Sequence, residues 1–180
     1  CGVLTGVGAA LNTADIREGD TVAVLGCGGV GLNVIQAARI AGAAEVVAID
    51  MFDSKLEMAE EFGATRRVKA GTDDPSSVIT AATGGRLADT VFEVIGLEAT
   101  MNQAMDLARQ GGEVVLVGVP RMDVFLNLNA ALTFLYMAKT VKGCWYGSTN
   151  VNEDVPKLLG LYRDGKLKLD ELISREIGVG

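Results

Sequence analysis

The sequence contains no histidine, and that single absence removes the usual general base, proton shuttle and commonest zinc ligand. Cysteine is scarce too. Cys1, Cys27 and Cys144 are odd in number and widely spaced, so neither a disulfide framework nor a paired-cysteine zinc knuckle is written here. Positive charge is in deficit: 16 Lys and Arg against 23 Asp and Glu leave a net charge of −7 with no basic stripe. Nucleic acid and anionic membrane are therefore excluded as partners, since neither offers anything to excess carboxylates. No apolar run approaches the roughly 18 residues of a membrane span. No basic segment with a cleavage site precedes an apolar core, and a cytoplasmic protein is expected.

What is present is a glycine-punctuated α/β composition, with 49% hydrophobic and 22% charged residues, 23 glycines and only 3 prolines. A chain of 180 residues suits one well-buried domain, or one domain with a stub of another, and not two domains. It opens at Cys1 without methionine and stops at Gly178, Val179 and Gly180 without a capping element, which reads as a piece of a longer protein.

The most informative stretch runs from Thr21 to Asp50. A β-branched strand ends at the turn Gly26, Cys27, Gly28, Gly29, Val30, Gly31, an amphipathic helix follows, and a second apolar strand closes on Asp50. Such a βαβ unit has parallel strands and a right-handed crossover. Gly26 permits a sharp turn, Gly28 leaves room for a phosphate, and Gly31 lets the helix approach its strand. Free N–H groups at the helix start would face a pyrophosphate. Asp50, 19 residues after Gly31, can accept hydrogen bonds from both hydroxyls of an adenosine ribose and would repel the extra phosphate of NADP, so NAD is the expected cofactor. Glycine turns also occur where nothing binds; the flanking strand and helix and the terminal Asp set this one apart. Cys27, at a variable position, reads as a small apolar filler.

Val30, Val34, Ala37, Ala38 and Ala41 fall on one face of this helix, while Asn33, Gln36 and Arg39 line the other. Asp53 reads as the N-cap of a helix through Phe62. Lys55 then sits in a first turn, where a cation opposes the helix dipole, and a ribose hydroxyl beside Asp50 would give it a partner. A third strand is expected over residues 66–69, helices over 75–82 and 99–108, and strands over 88–95 and 113–117. Gly111 and Gly112 break the second of those helices. Gly26, Gly96 and Gly118 each end a strand, and glycine there allows close approach of a ligand lying beyond the strand ends. Residues 130–138 read as helical, and a sixth strand begins at Thr140 and ends at Tyr146. In the last helix Asn152, Glu153 and Asp154 favour the start, and Val155, Leu158, Leu159 and Tyr162 share a face. The fold class is α/β, a doubly wound six-stranded parallel sheet of the Rossmann dinucleotide-binding type.

With Cys1, Thr5, the turn GCGGVG, Asp50 and Lys55 in order, and with FEVIG from Phe92, VGVP from Val117 and VKGCWYG from Val141, the chain resembles the zinc-dependent medium-chain alcohol dehydrogenases over nearly its whole length. The flavour is that of the class III or thiol-dependent formaldehyde dehydrogenases. The resemblance implies residues 1–14 linking from a missing catalytic domain, an NAD-binding domain over 15–147, and 148–180 as a helix starting the return. It also implies that Cys1 gives one thiolate to a catalytic zinc whose other ligands lie outside the chain. Thr5 would touch the nicotinamide, Gly28, Gly29, Val30 and Gly31 the pyrophosphate, Asp50 and Lys55 the ribose, and Ile95 the adenine side. The backbone of Val117, Cys144 and Tyr146 would hold the carboxamide, with Val119 lining the pocket. No residue here is identified as catalytic. The expected reaction of the intact protein is hydride transfer between an alcohol, or a hydroxymethyl-thiol adduct, and NAD; the chain alone is expected to be inactive. The rivals are a zinc-free quinone reductase using NAD(P), an S-adenosylmethionine methyltransferase, and a non-catalytic NAD-binding module. The edge strand of residues 140–146 lacks proline and carries one lysine and the only tryptophan, so a homodimer or higher homo-oligomer is expected through it.

Overall fold

In the computed structural model, which describes residues 1–173, Arg175 and Gly178, the apolar runs become six strands: β1 (Thr21–Leu25), β2 (Glu45–Asp50), β3 (Arg66–Lys69), β4 (Ala88–Glu93), β5 (Ala108–Leu116) and β6 (Thr140–Gly143). They form one parallel sheet in the order β3-β2-β1-β4-β5-β6. All residues of β1 and β4 are buried, as a parallel sheet covered on both faces requires. The chain order reverses beside β1, and ligands of such sheets lie past the strand carboxyl ends at that point. Leu25, Val47, Ile49, Val68, Ile79, Val91, Leu107 and Val114 form one continuous core, each worth about 1.5–3 kcal/mol of transfer free energy when fully buried.

The connecting helices are α2 (Gly29–Ile40), α3 (Asp53–Glu61), α4 (Pro75–Thr83) and α5 (Glu98–Leu107), preceded by α1 (Gly2–Gly8), which continues as a wider π-turn over Ala9–Thr13. Cys1–Thr149 make up one compact unit. The second unit, Asn150–Gly180, contains α6 (Val151–Arg163) and a short 3₁₀ turn, Asp170–Leu172.

Helix ends follow local chemistry. Asp74 caps α4 by accepting from Ser76 N and Ser77 N at 3.1 and 3.2 Å, Pro75 sits in the first turn, and Gly84 ends the helix in the left-handed conformation. Asn150 precedes α6, and its N–H donates to Asp154 Oδ2 at 2.9 Å.

Several expectations change where tertiary contacts outweigh local pattern. Asn33 and Gln36 are buried, at 1% and 4% exposure, because α1 lies across the face of α2 that they occupy. Their polarity is satisfied locally: Asn33 Nδ2 donates to Gly29 O at 2.7 Å, and Gln36 Nε2 to Asn33 Oδ1 at 2.9 Å. Asp53 does not cap α3. Phe52 holds that position, and Asp53 pairs instead with Lys69. Gly111 and Gly112 lie inside β5, whose register with β4 jumps between Ala88 and Thr90; a residue with φ of 68° at Gly111 takes up the extra chain. Residues 131–136 form a π-turn rather than an α-helix, closed by Met137 N to Leu132 O. The sixth strand ends at Gly143, short of Tyr146. On α6, Leu158 is buried while Leu159 is 44% exposed.

Candidate functional site

At the end of β1 the chain turns through Gly26, whose φ is 98° and whose N–H donates to Ile49 O at 2.9 Å. A Cβ at Gly31 would overlap Gly26 O, so only glycine lets α2 begin this close to the turn. Gly28 and Gly29 face open space, where an added Cβ meets nothing within 4 Å. The first intrahelical bond is Leu32 N to Gly28 O; the amides of Gly29, Val30 and Gly31 precede it, and no carboxylate occupies this first turn. These donors and the positive end of the helix dipole suit an anion.

Asp50 ends β2 beside the turn and is 8% exposed. Its Oδ2 accepts from Cys27 N at 2.8 Å, and its Oδ1 from Phe52 N at 3.1 Å. An ionised carboxylate has about four lone-pair sites, so acceptor capacity remains for two hydroxyls. Lys55 Nζ lies 3.9 Å from Asp50 Oδ2 and 5.2 Å from the centre of the Phe52 ring, which gives this first-turn cation its partners. Cys27 is buried under the turn, and burial together with the Asp50 charge pushes its thiol up to about 12. Such a thiol is a filler rather than a nucleophile. Ile95 packs against Gly26, where an added Cβ would come within 2.7 Å of Ile95 Cγ1, and it leaves 44% of its surface exposed near the turn.

A second group of the sequence-assigned residues converges at the other side of the β1–β4 junction. Cys1, Thr5, Val30, Val117, Val119, Cys144 and Tyr146 line one cavity of about 280 Å³, with Val94, Gly118 and Trp145. Cys1 is exposed, with Sγ 3.8 Å from Thr5 Oγ1. It stands alone as a metal donor: among the described residues no three His, Cys, Asp or Glu side chains gather as a ligand set. The residues present therefore fit a dinucleotide along the turn and do not by themselves make a metal site.

Two features escaped the sequence reading. Glu93, fully buried at the end of β4, accepts at Oε1 from Ile95 N, Gly96 N and Thr100 Oγ1 at 3.0, 2.8 and 2.7 Å. Its carbonyl accepts from Val117 N and Gly118 N. One residue thus ties the ends of β4 and β5 together under the cavity. Its signal was a carboxylate closing an apolar strand, the same pattern as Asp50. Gly96 and Gly118 serve this junction first: a Cβ at Gly118 would overlap Gly96 N, and one at Gly96 would fall 2.5 Å from Val119 O. The second feature is the turn Tyr146–Ser148, in which all three residues have positive φ. Only Gly147 hinted at it.

A parallel sheet in this order, with an open glycine turn where the order reverses, defines a Rossmann-like α/β domain. Comparison with known proteins then narrows the class. The family model described as zinc-binding dehydrogenase matches residues 29–164, and the chain belongs to that family. An NDMA-dependent alcohol dehydrogenase of Amycolatopsis methanolica is 38% identical over 178 residues, 97% of this chain and 47% of that protein. The benzyl alcohol dehydrogenase of Acinetobacter calcoaceticus superposes with a TM-score of 0.90 at 30% identity, covering 95% of this chain and 47% of that one. A zinc-binding dehydrogenase of Sinorhizobium meliloti 1021, solved bound to NADP, gives 0.79 at 30% identity over 94% of this chain and 48% of that one. The chain spans about half the length of the relatives it matches.

Proposed function

We propose that this chain is the NAD-binding half of a zinc-dependent alcohol dehydrogenase. The observation that carries the reading is Asp50, a nearly buried carboxylate with acceptor sites to spare beside an open, donor-rich turn. A pyrophosphate fits over Gly28, Gly29, Val30 and Gly31. Asp50 accepts from both ribose hydroxyls and Lys55 approaches the same ribose, while Ile95 flanks the adenine. At the other end Thr5 and Val119 flank the nicotinamide. The N–H groups of Val117 and Cys144 are already taken by Glu93 O and Leu116 O, so these two meet the carboxamide through their carbonyls and Tyr146 meets it through its own backbone.

NAD, once bound, supplies the hydride acceptor. The chain's part is to fix one face of the ring and to exclude water with an apolar wall. Cys1 would contribute one thiolate donor to a zinc site whose other ligands lie outside this chain. The substrate, an alcohol or a hydroxymethyl-thiol adduct, is likewise chosen by residues outside it. A dinucleotide module without catalysis of its own describes the 180 residues alone. The quinone-reductase reading is disfavoured by Cys1, and the methyltransferase reading by membership of a dehydrogenase family.

Two further elements belong to the same reading. β6 is an open sheet edge, and Phe125, Leu132, Phe134, Leu135 and Tyr136 are exposed apolar residues. A two-fold homodimer, or a higher homo-oligomer built on it, would cover both, burying about 1,200–2,000 Å² or more. The three free cysteines fit a reducing compartment such as the cytoplasm. Among the described residues no helix is long and apolar enough to cross a membrane.

Calorimetry tests the cofactor assignment. The chain should bind NAD in preference to NADP, and Asp50→Ser should weaken NAD at least about tenfold while narrowing that preference, since each charge-assisted bond contributes about 1.5–3 kcal/mol. Equal NAD affinity in both proteins would sink the assignment.

A further inference from the structure

Tyr146, Gly147 and Ser148 have φ of 49°, 70° and 49°. Residues other than glycine enter this region only where their surroundings hold them there. The holds come from the opposite end of the unit's chain. Thr13 Oγ1 lies 2.9 Å from Ser148 Oγ and donates to Cys144 Sγ at 3.4 Å, and Asn12 Nδ2 donates to Gly147 O at 3.3 Å.

Backbone meets backbone at the centre of this contact. A Cβ at Gly8 would overlap Gly147 O and come within 2.8 Å of its Cα, and a Cβ at Gly147 would overlap Leu4 O. On the other side of α1, a Cβ at Gly6 would overlap Val30 O in the first turn of α2. Helix α1 is therefore wedged between the glycine-turn helix and the left-handed turn, with a backbone atom the nearest neighbour at each of the three crossings. Backbone atoms cannot swing aside as a flexible side chain can. The wedged helix carries Cys1 and Thr5, the turn carries Tyr146, and all three residues line the same cavity.

We propose that the Gly8–Gly147 crossing is a positioning device. It sets the distance between the Thr5 face of α1 and the Tyr146 backbone, and so fixes the slot for the nicotinamide half of the cofactor, while the adenosine half is held independently by Asp50 and the glycine turn. This rests on the cofactor reading above. Gly8, Gly147 and Thr13 act through other groups and need not touch the ligand.

The test compares NADH with ADP-ribose, which shares the adenosine and both phosphates and lacks the nicotinamide, on the 180-residue chain. Gly8→Ala pushes the two backbones apart. Thr13→Val removes the hydroxyl that holds Ser148 and Cys144 without adding bulk, and it decides the matter if Gly8→Ala does not fold. Each should weaken NADH by about fivefold or more, the scale of one lost net hydrogen bond, with ADP-ribose affinity within about twofold of wild type. Trp145, the only tryptophan, lines the cavity and packs edge-on against Tyr146 at 4.9 Å. Energy transfer from its indole to bound NADH gives a readout that needs no turnover, and at saturation it should fall in both variants. If both ligands lose affinity together, or neither does, the proposal is overturned and the cofactor reading stands. A wild-type chain that binds ADP-ribose and NADH with the same affinity overturns the proposal and leaves the Asp50 assignment standing; one that binds neither overturns both.

Discussion

The two ends of the same sheet are built on opposite plans. At the amino ends of the strands a cleft of about 240 Å³ is lined by Asp15, Arg17, Asp20, Asp89, Arg109, Glu113 and Lys142, and its charges answer one another. Arg109 Nε pairs with Asp89 Oδ1, Lys142 Nζ with Glu113 Oε1 at 2.6 Å, Asp15 N donates to Glu113 Oε2, and Thr21 N to Asp89 Oδ2. At the carboxyl ends the reverse holds. Gly28 and Gly29 at the helix start face open space, Asp50 has acceptor sites left over, and large apolar side chains such as Met51, Phe52, Val119 and Trp145 are exposed. Polar groups that satisfy each other stabilise the fold; polar groups left with capacity, on a rigid frame, are available to a ligand. Charge density alone points to the amino end.

Most of the strain lies at the carboxyl end, while Ala138, two residues before β6, lies at the amino end. Among non-glycine residues only Ala138, Tyr146 and Ser148 have positive φ among those described, each at a cost of order 1–3 kcal/mol, and two of the three sit in the turn beside the cavity. No such residue occurs in the amino-end cleft.

The sharpest way to break this contrast is to remove one carboxylate from each end. Asp50→Ser should cost NAD at least about tenfold in affinity. Asp89→Asn should leave NADH affinity within about twofold and instead lower stability by about 1–3 kcal/mol, because a buried charge-assisted pair with Arg109 and the Thr21 amide is lost. Thermal or urea unfolding measures it. Burial opposes the charge on Asp89, but the Thr21 N–H and the Arg109 guanidinium outweigh it and hold the carboxyl below its ordinary 3.8. A depressed folded value means the stabilisation is present in full above about pH 4 and is lost as pH falls through the folded value. The gap between wild type and Asp89→Asn should therefore stay constant from neutral pH down to about 4 and close below it. A gap that widens on acidification would reverse the assignment.

A smaller effect is expected at the sheet edge, which belongs to neither end. Cys144 N donates inward to Leu116 O, and strand alternation turns the N–H groups of Val141 and Gly143 outward. Proline at either position should weaken the proposed dimer by about 0.5–1.5 kcal/mol per lost bond, counted twice by the two-fold axis, with little change in monomer stability on an edge strand. Sedimentation at tens of micromolar reads it. A clean wild-type monomer, or a dimer indifferent to both prolines, would rule out pairing through β6.

Why the carboxyl end was largely legible in sequence follows from how local its signals are. The strand, the turn of Gly26 to Gly31, the helix and Asp50 are adjacent in the chain, and their spacing has a steric reason at each glycine. The opposite is true of what was missed. Burial of Asn33 and Gln36 depends on α1 crossing α2, the kink in β5 on its register against β4, and the early end of β6 on a left-handed turn held by Asn12 and Thr13 from more than 130 residues away. Glu93 looked like one more residue of an apolar strand because its partners, Ile95, Gly96, Thr100, Val117 and Gly118, lie in segments the pattern treats separately.

The central claim, that the carboxyl ends hold the cofactor and the amino ends only hold the fold, is tested most directly by following backbone amide NMR signals of the chain as NADH is added. The account places the large shifts at Gly26, Gly28 to Gly31, Asp50, Ile95, Val117, Val119 and Tyr146, with Arg17, Asp20, Thr90, Gly111 and Lys142 unmoved. Shifts centred on the second set, or spread evenly over both, would contradict it.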